Sequence, residues 1–284
     1  MAPSIREAVR ATRRSTSRGS PSQARSTTAG GIAAAIDHRF NLRGKVAAVI
    51  GGAGYLCSVL AGAMRESGMR VITLDIADPK PRRAPGTRNG RFTCDVISKA
   101  SLARCRDAIL KDYGRVDVLL NGAGTNAPTP FLDISEAEFH RIVNVNLLGT
   151  LLACQVFGET MVRQQAGSII NVTSVSMGPP LSKAFVYSAA KAGVANLTQN
   201  LAREWAPFGV RVNALRPGFF PTQWSLRYFI DAERNANILR HTPMGRFGRP
   251  EELIGAVLWL ASDAASFVTG AIIPVDGGFT AMTI

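Results

Sequence analysis

Histidine and cysteine are scarce in this chain of 284 residues, and the few present are scattered: histidines at 38, 140 and 241, cysteines at 57, 94, 105 and 154. No Cys-x-x-Cys pair or histidine cluster supplies the ligands of a zinc site, so no metal is expected, and nothing suggests a disulfide framework. Reduced thiols and a cytoplasmic location are the simplest expectation. No apolar stretch approaches the eighteen or so residues of a membrane span, so a soluble protein with no membrane partner is expected. The net charge is +13. Yet there is no lysine/arginine run and no basic strand interleaved with aromatics, which argues against nucleic acid as a partner. Internal repeats and a second domain are also lacking.

Acids are nearly missing from the first 44 residues, which hold eight arginines against Glu7 and Asp37. Residues 1–40 are set apart by this composition from a single domain at 41–284. Three readings stay open: a disordered tail or upstream start-codon extension, an organelle (mitochondrial) transit segment if the source is eukaryotic, or a polyanion-binding arm. The apolar centre of a secretory signal is missing.

What the remainder does contain is an alternation. Short apolar runs at Val46 to Ile50, Val71 to Leu74, Val116 to Leu120, Ser168 to Val172, Val210 to Leu215 and Ala271 to Val275 are separated by helical patterns. The patterns lie at Leu56 to Glu66, Ser101 to Asp112, Ala137 to Gln164, Phe185 to Trp205 and Glu251 to Ser262. Strands separated by helices predict an α/β fold, a single Rossmann-type doubly wound parallel sheet of about seven strands with helices on both faces. Its site should lie at the carboxyl ends of the strands.

The first run is followed at once by Gly51-Gly52-Ala53-Gly54 and a helical stretch. Strand, glycine turn, helix is the order a dinucleotide site requires, because small residues let backbone approach a pyrophosphate at a helix N-terminus. The second run ends in Asp75, about twenty residues on, where a carboxylate can bond both ribose hydroxyls and repel a 2′-phosphate. That favours NAD(H) over NADP(H); the alternative is that Asp75 only opens the following loop. Further on, Ser174 precedes Tyr187 and Lys191, which stand four apart on one helix face. A phenol and an ammonium each titrate near pH 10 alone, but an adjacent ammonium favours the phenolate. The pair therefore reads as a proton donor and acceptor for a C–O centre.

With these motifs the chain resembles the short-chain dehydrogenase/reductase family from about Phe40 onward. The order is kept: the glycine turn, Asp75, Cys94-Asp95-Val96, Asn121-Gly122-Ala123-Gly124, Asn144-Val145-Asn146, Ser174, Tyr187, Lys191, then Arg216-Pro217-Gly218 with Thr222. The resemblance implies Asn146, Ser174, Tyr187 and Lys191 as catalytic residues. Tyr187 would be the general acid or base, Ser174 would hold the substrate oxygen, and Lys191 would lower the tyrosine pKa and bond the nicotinamide ribose. Asn146 would position a relay water. Around the cofactor it implies Gly51, Gly54, Tyr55, Leu56, Asp75, Asp95, Val96, Asn121, Ala123, Gly124, Tyr187, Lys191, Pro217, Gly218 and Thr222.

The glycine turn departs from the family pattern. Ile50 replaces a threonine, Tyr55 stands at the second repeat glycine, and Cys57 stands at the third, where tolerated packing with weakened cofactor affinity is expected. The segments around Phe219-Phe220, His241 to Ala256 and Val275 to Ile284 are most similar to the sugar-acid and polyol branch, including mannonate and gluconate oxidoreductases. Asn126, Lys183 and Gln223 are then candidates for substrate hydroxyls. Arg227 reads as a carboxylate partner or as a solvated lid charge, and Arg246 as a structural anchor. The alternatives are a 3-oxoacyl-carrier-protein reductase, which normally prefers NADPH, another ketone reductase, or a non-catalytic NAD(H) sensor. Relatives also imply a homotetramer or homodimer, with the apolar end from Phe279 to Ile284 suited to a second interface.

Overall fold

The computed structural model describes residues 36–76 and 90–282, the side chains of Gln223, Trp224 and Tyr228 excepted. The transit-like or disordered readings of the tail therefore lie, up to residue 35, outside the described residues. The compact unit considered below is Arg39–Ile284.

Seven parallel strands form one sheet: β1 (Val46–Ile50), β2 (Arg70–Asp75), β3 (Gly90–Thr93), β4 (Val118–Asn121), β5 (Gly167–Val172), β6 (Val210–Pro217) and β7 (Ile272–Val275). Their spatial order is β3-β2-β1-β4-β5-β6-β7. The chain winds outward from β1 to β3 and then returns to the other side of β1 as β4. That reversal leaves a crevice beyond the ends of β1 and β4.

Strand β1 is buried along its whole length, as a central parallel strand must be when helices cover both faces. Alternation decides which side chain goes to which face. Ala47 and Val49 of β1 and Val118 and Leu120 of β4 join Leu60, Ala61 and Met64 of α1 (Tyr55–Glu66) and Val257 and Leu260 of α8 (Ile254–Ala261) in one core layer. The opposite face is covered by α2 (Lys99–Tyr113), α4 (Gly149–Gln164) and α5 (Phe185–Trp205).

Between α2 and α4 the chain carries α3 (Glu136–Val143), capped by the Ser135 hydroxyl accepting from the Glu138 amide. It runs through a π-helical segment, Asn144–Leu148, directly into α4. The continuous helix Glu136–Gln164 is long and apolar enough by composition to cross a membrane, with a mean hydropathy of 1.3 over its best window. This corrects the sequence reading that no such stretch exists. Most of that window is buried inside the protein, so the apolar residues are core.

Three elements were not visible as patterns. Strand β3 has only four residues, half-exposed at the sheet edge, so its apolar signal is weak. Helices α6 (Gln223–Tyr228) and α7 (Ala232–Arg240) occupy the stretch after β6. The last predicted helix begins as a 3-10 turn, Pro250–Leu253, before α8. Arg246 grips Glu252 of that turn through two bonds, at 2.9 and 2.6 Å, the anchoring role its position suggested.

Candidate active site

The glycine turn closes on itself and on β2. The amides of Gly51 and Gly52 both donate to the Leu74 carbonyl, and Gly54 donates to Gly51. Gly51 has φ +74°, and a Cβ there would stand 2.7 Å from the amide nitrogen of Ala123. Only glycine meets both conditions, a left-handed backbone and contact with the chain leaving β4. The first turn of α1 carries no acidic residue, and the carboxylate at its amide end is that of Asp75, brought in by β2.

Cys57 explains the departure from the family's glycine pattern. Its sulfur fills the space beside Gly122: a Cβ on Gly122 would lie 2.1 Å from Cys57 Sγ. The thiol is buried and pushed up to about 12 by desolvation, which makes it a packing group rather than a nucleophile.

A cavity of about 320 Å³ opens at this edge, lined by Gly51, Gly54, Asp75, Asp95, Val96, Ala123 and Gly124 among others. Asp75 ends β2 and accepts from the Ala53 amide at 3.0 Å, which turns its carboxylate toward the glycine turn. Asp95 accepts from the Ile97 amide at 3.1 Å, and Val96 packs where a side chain on Gly149 would clash. A glycine-lined cleft with Asp75 and Asp95 in its wall fits the adenosine half of a dinucleotide. Asn121 does not join this lining. Its amide donates to Asn171 at 2.8 Å and lies 3.4 Å from Cys154 Sγ, inside the sheet. Tyr55 is exposed and Leu56 half-buried against the core. Pro217 ends β6 and Gly218 follows it, donating to the Val275 carbonyl. Thr222 caps α6 through the Ser225 amide at 3.0 Å.

The four catalytic candidates come from three different elements. Ser174 follows β5, and its hydroxyl favours the Tyr187 phenolate, while its Oγ accepts from the Ser176 amide at 3.2 Å. Lys191 is buried on α5; its Nζ donates to the Val172 carbonyl at 2.7 Å and stands 5.6 Å from the Tyr187 ring centroid. Asn146 lies in the π-helical segment, fully buried, its Nδ2 donating to the carbonyls of Thr125 and Ile142 at 2.7 and 2.9 Å. Its Oδ1 is buried without a partner among the described residues. A Cβ on Gly124 would meet Asn146 Oδ1 at 2.9 Å and Lys191 Nζ at 3.8 Å, so the missing side chain leaves room for both.

The electrostatics correct one expectation. The Tyr187 pKa lies above its ordinary value because burial penalises the phenolate, and the opposing influence comes from Ser174 rather than from the lysine. Lys191 is itself desolvated, which lowers it to about 8. The resting pair is therefore a neutral phenol beside an ammonium poised near neutrality. That phenol can donate a proton to a substrate oxygen held by Ser174, or accept one through the same bond.

None of the proposed substrate residues Asn126, Lys183 and Arg227 lines the glycine-lined cavity. Asn126 spends Oδ1 on the Ala127 amide at 2.8 Å and reaches the Lys183 carbonyl at 3.5 Å. Lys183, at the left-handed φ +60°, pairs with Asp231 at 3.0 Å. Arg227 is exposed on α6, and the Gln223 side chain lies outside the described residues. A residue that the sequence reading passed over is Arg234, whose Nη1 bonds Ser182 Oγ. The only signal was Asp231 before an amphipathic stretch, the mark of a helix cap. Phe279 packs within the chain against Phe219 and His241, ring centroids 5.2 and 4.8 Å away, rather than standing out for an interface. Thr283 and Ile284 lie outside the described residues.

Among the described residues no group of three or more His, Cys, Asp or Glu converges on a point. A sequence model described as enoyl-(acyl carrier protein) reductase matches residues 56–280. The chain is 39% identical to an uncharacterised oxidoreductase, UxuB, of Bacillus subtilis, over 85% of this chain and 96% of that one. It is 33% identical to an NAD-dependent glycerol dehydrogenase of Listeria innocua, over 86% and 97%. Among solved structures, a gluconate 5-dehydrogenase of Burkholderia cenocepacia in complex with NADP and tartrate superposes with a TM-score of 0.82 at 30% identity, covering 87% of this chain and 99% of that one. A seven-stranded doubly wound sheet, the ordered motifs and these matches together place the chain in the short-chain dehydrogenase/reductase family, as an oxidoreductase acting on alcohols.

Proposed function

We propose that the chain is an NAD(H)-dependent dehydrogenase of a secondary alcohol in a polyol or sugar acid, working in the cytoplasm as a homotetramer or homodimer. The observation that carries this reading is the assembly of Ser174, Tyr187, Lys191 and Asn146 beside a glycine-lined cleft that ends in Asp75. Bound NAD would supply nicotinamide C4 as hydride acceptor. Ser174 would hold the substrate oxygen, and Tyr187 would take its proton in oxidation or return it in reduction. Lys191 would keep the pair poised, and the unpartnered Oδ1 of Asn146 would anchor the onward proton path. Asp75 supports NAD over NADP by charge alone, since a 2′-phosphate would meet its carboxylate. Among the relatives one is named for NAD and another holds NADP, so this preference rests on that one acid.

Pairing of subunits is supported by the exposed Phe131, Leu132, Phe139 and Phe185, of which Phe131 and Phe185 meet edge to face at 5.4 Å. The test is NADH formation, followed by its absorbance, on sugar acids, polyols and simple alcohols with either cofactor. Tyr187→Phe should lower turnover by about 10²–10⁴-fold while NADH binding stays nearly unchanged. Retained turnover in that variant would refute the role of the phenol.

A further inference from the structure

Ser174, two residues past β5, caps a short 3-10 turn, Val175–Met177, and its Oγ accepts from the Ser176 amide at 3.2 Å. That amide and the Val175 carbonyl are the two ends of one planar peptide unit. The carbonyl end is also occupied. Nη2 of Arg216 donates to the Val175 oxygen at 3.4 Å, beside the Gly178 amide at 3.3 Å. Arg216 comes from the neighbouring strand β6, and Thr173 fixes the register there by sending both its amide and its hydroxyl to the Leu215 carbonyl, each at 2.8 Å.

The guanidinium has little room to lie elsewhere. It rests on Gly178, where a Cβ would overlap Nη2 and stand 3.3 Å from Cζ, so the missing side chain is what lets Arg216 reach the carbonyl. Its Nε is closed to solvent, and Val175 and Ser176 are both buried. A cation at a buried peptide is little screened by water. It draws electron density toward the peptide oxygen and so makes the Ser176 N–H a stronger donor to Ser174 Oγ. The Ser174 O–H then becomes a stronger donor in its turn, since bonds in such a chain polarise one another by about 10–30% each. That hydroxyl is the group that favours the Tyr187 phenolate. The influence of Arg216 therefore arrives where the proton moves.

We propose that Arg216 is a positioning residue for the reaction: seated on Gly178, it holds and polarises the Val175–Ser176 peptide, which fixes the Ser174 hydroxyl and strengthens it as a donor to the substrate oxygen. The proposal rests on the dehydrogenase reading above and adds to it a residue that acts through Ser174 rather than on substrate or cofactor itself. Charge matters here as well as shape, because an apolar side chain of the same length would fill the space over Gly178 without polarising the peptide.

The experiment uses Arg216→Met, which keeps the stem and removes the charge, and Arg216→Lys, which keeps the charge. With NAD and the alcohol that the parent oxidises best, Arg216→Met should lower kcat about tenfold, the low end for a charged hydrogen-bond donor, while KM and NADH binding stay within about twofold. Arg216→Lys should recover most of that loss. In a Ser174→Ala background Arg216→Met should cost no more than about twofold, because residues that act as a unit are not additive. An unchanged kcat in Arg216→Met, or the same loss with and without the Ser174 hydroxyl, would overturn the role; an inactive Tyr187→Phe beside it would leave the dehydrogenase reading standing. Should Arg216→Met fail to fold, Gly178→Ala pushes the guanidinium off the carbonyl from the other side, and an unchanged kcat there would overturn the role equally. A further readout needs no substrate. The phenolate absorbance of Tyr187, taken as the difference between each protein and its Tyr187→Phe counterpart, should appear at higher pH in Arg216→Met and return in Arg216→Lys, with Lys191 facing the ring from α5 in all of them. A parent that oxidises no alcohol yet shows this shift would support the positioning of Ser174 and overturn the dehydrogenase reading; the absence of the shift would overturn the positioning.

Discussion

Replacing Gly122 by alanine tests the packing of the glycine turn directly. The added Cβ would stand 2.1 Å from Cys57 Sγ, whereas its next neighbours, the Ile50 carbonyl at 3.4 Å and Val172 Cγ2 at 3.7 Å, are in ordinary contact. Non-bonded heavy atoms settle at roughly 3.5–4.0 Å, so the sulfur must retreat by more than an ångström. It has no free space to retreat into, because Cys57 is 4% exposed and belongs to the core layer of α1, β1 and β4. Overpacking of this kind costs about 1–3 kcal/mol. For a domain of this size that lowers Tm by roughly 2–4 °C per kcal/mol. Since α1 carries the sulfur, its N-terminus should shift with it and NADH should bind more weakly. The assay is a double-mutant cycle with Cys57→Ala, read by urea denaturation and by NADH fluorescence titration. Removing the sulfur should relieve most of the Gly122→Ala penalty, giving a coupling of about 1–3 kcal/mol. A Gly122→Ala protein as stable as the parent, or a penalty that is the same with and without the sulfur, would refute the idea that Cys57 and Gly122 exchange volume.

Three further outcomes are expected. Lys191 titrates near 8 in the folded protein and near 10.4 when unfolded. Between those values the unfolded chain holds the extra proton, so stability should rise with pH across that window. The cost of burying the charge, on the order of 3 kcal/mol, is present in full below about 8; urea melts of the parent against Lys191→Met should lose this rise, and parallel curves would contradict it. Above about pH 10 the elevated Tyr187 acts in the opposite sense, because the folded phenol then holds a proton that the unfolded one has lost. Asp75→Ser should narrow the NAD preference over NADP, measured as the ratio of kcat/KM values, and an unchanged ratio would assign Asp75 to the loop alone. Asn146→Ala strips the Thr125 and Ile142 carbonyls of their donor, which should cost about 1–3 kcal/mol in urea melts as well as turnover.

Short apolar runs of β-branched residues in a parallel sheet announce themselves, because both faces are covered and neither needs a polar partner. Thus β1, β2, β5 and β6 were legible almost to the residue. Strand β3 was not, since its four edge residues bury little and carry no periodic signal. Helices α6 and α7 depend on caps supplied by Thr222 and Asp231, and a capped short helix reads much like a polar loop. Asn121 shows the limit within a motif: the sequence places it beside the cofactor, but strand alternation turns its amide into the sheet toward Asn171. The spacing of Tyr187 and Lys191 suggested that the ammonium sets the phenol's acidity. Their burial, which no spacing reveals, lets desolvation dominate both groups.

Local order along the chain determined the fold class, the glycine turn, Asp75 and the helical pairing of Tyr187 with Lys191, because each depends on residues within one or two turns of each other. Tertiary structure alone decided what separate segments do to one another. The Cys57 sulfur occupies the space of a Gly122 side chain, and a π-helical segment brings Asn146 under Gly124. These contacts join residues distant in sequence, and their energies come from excluded volume and desolvation, which exist only once the chain has closed around them.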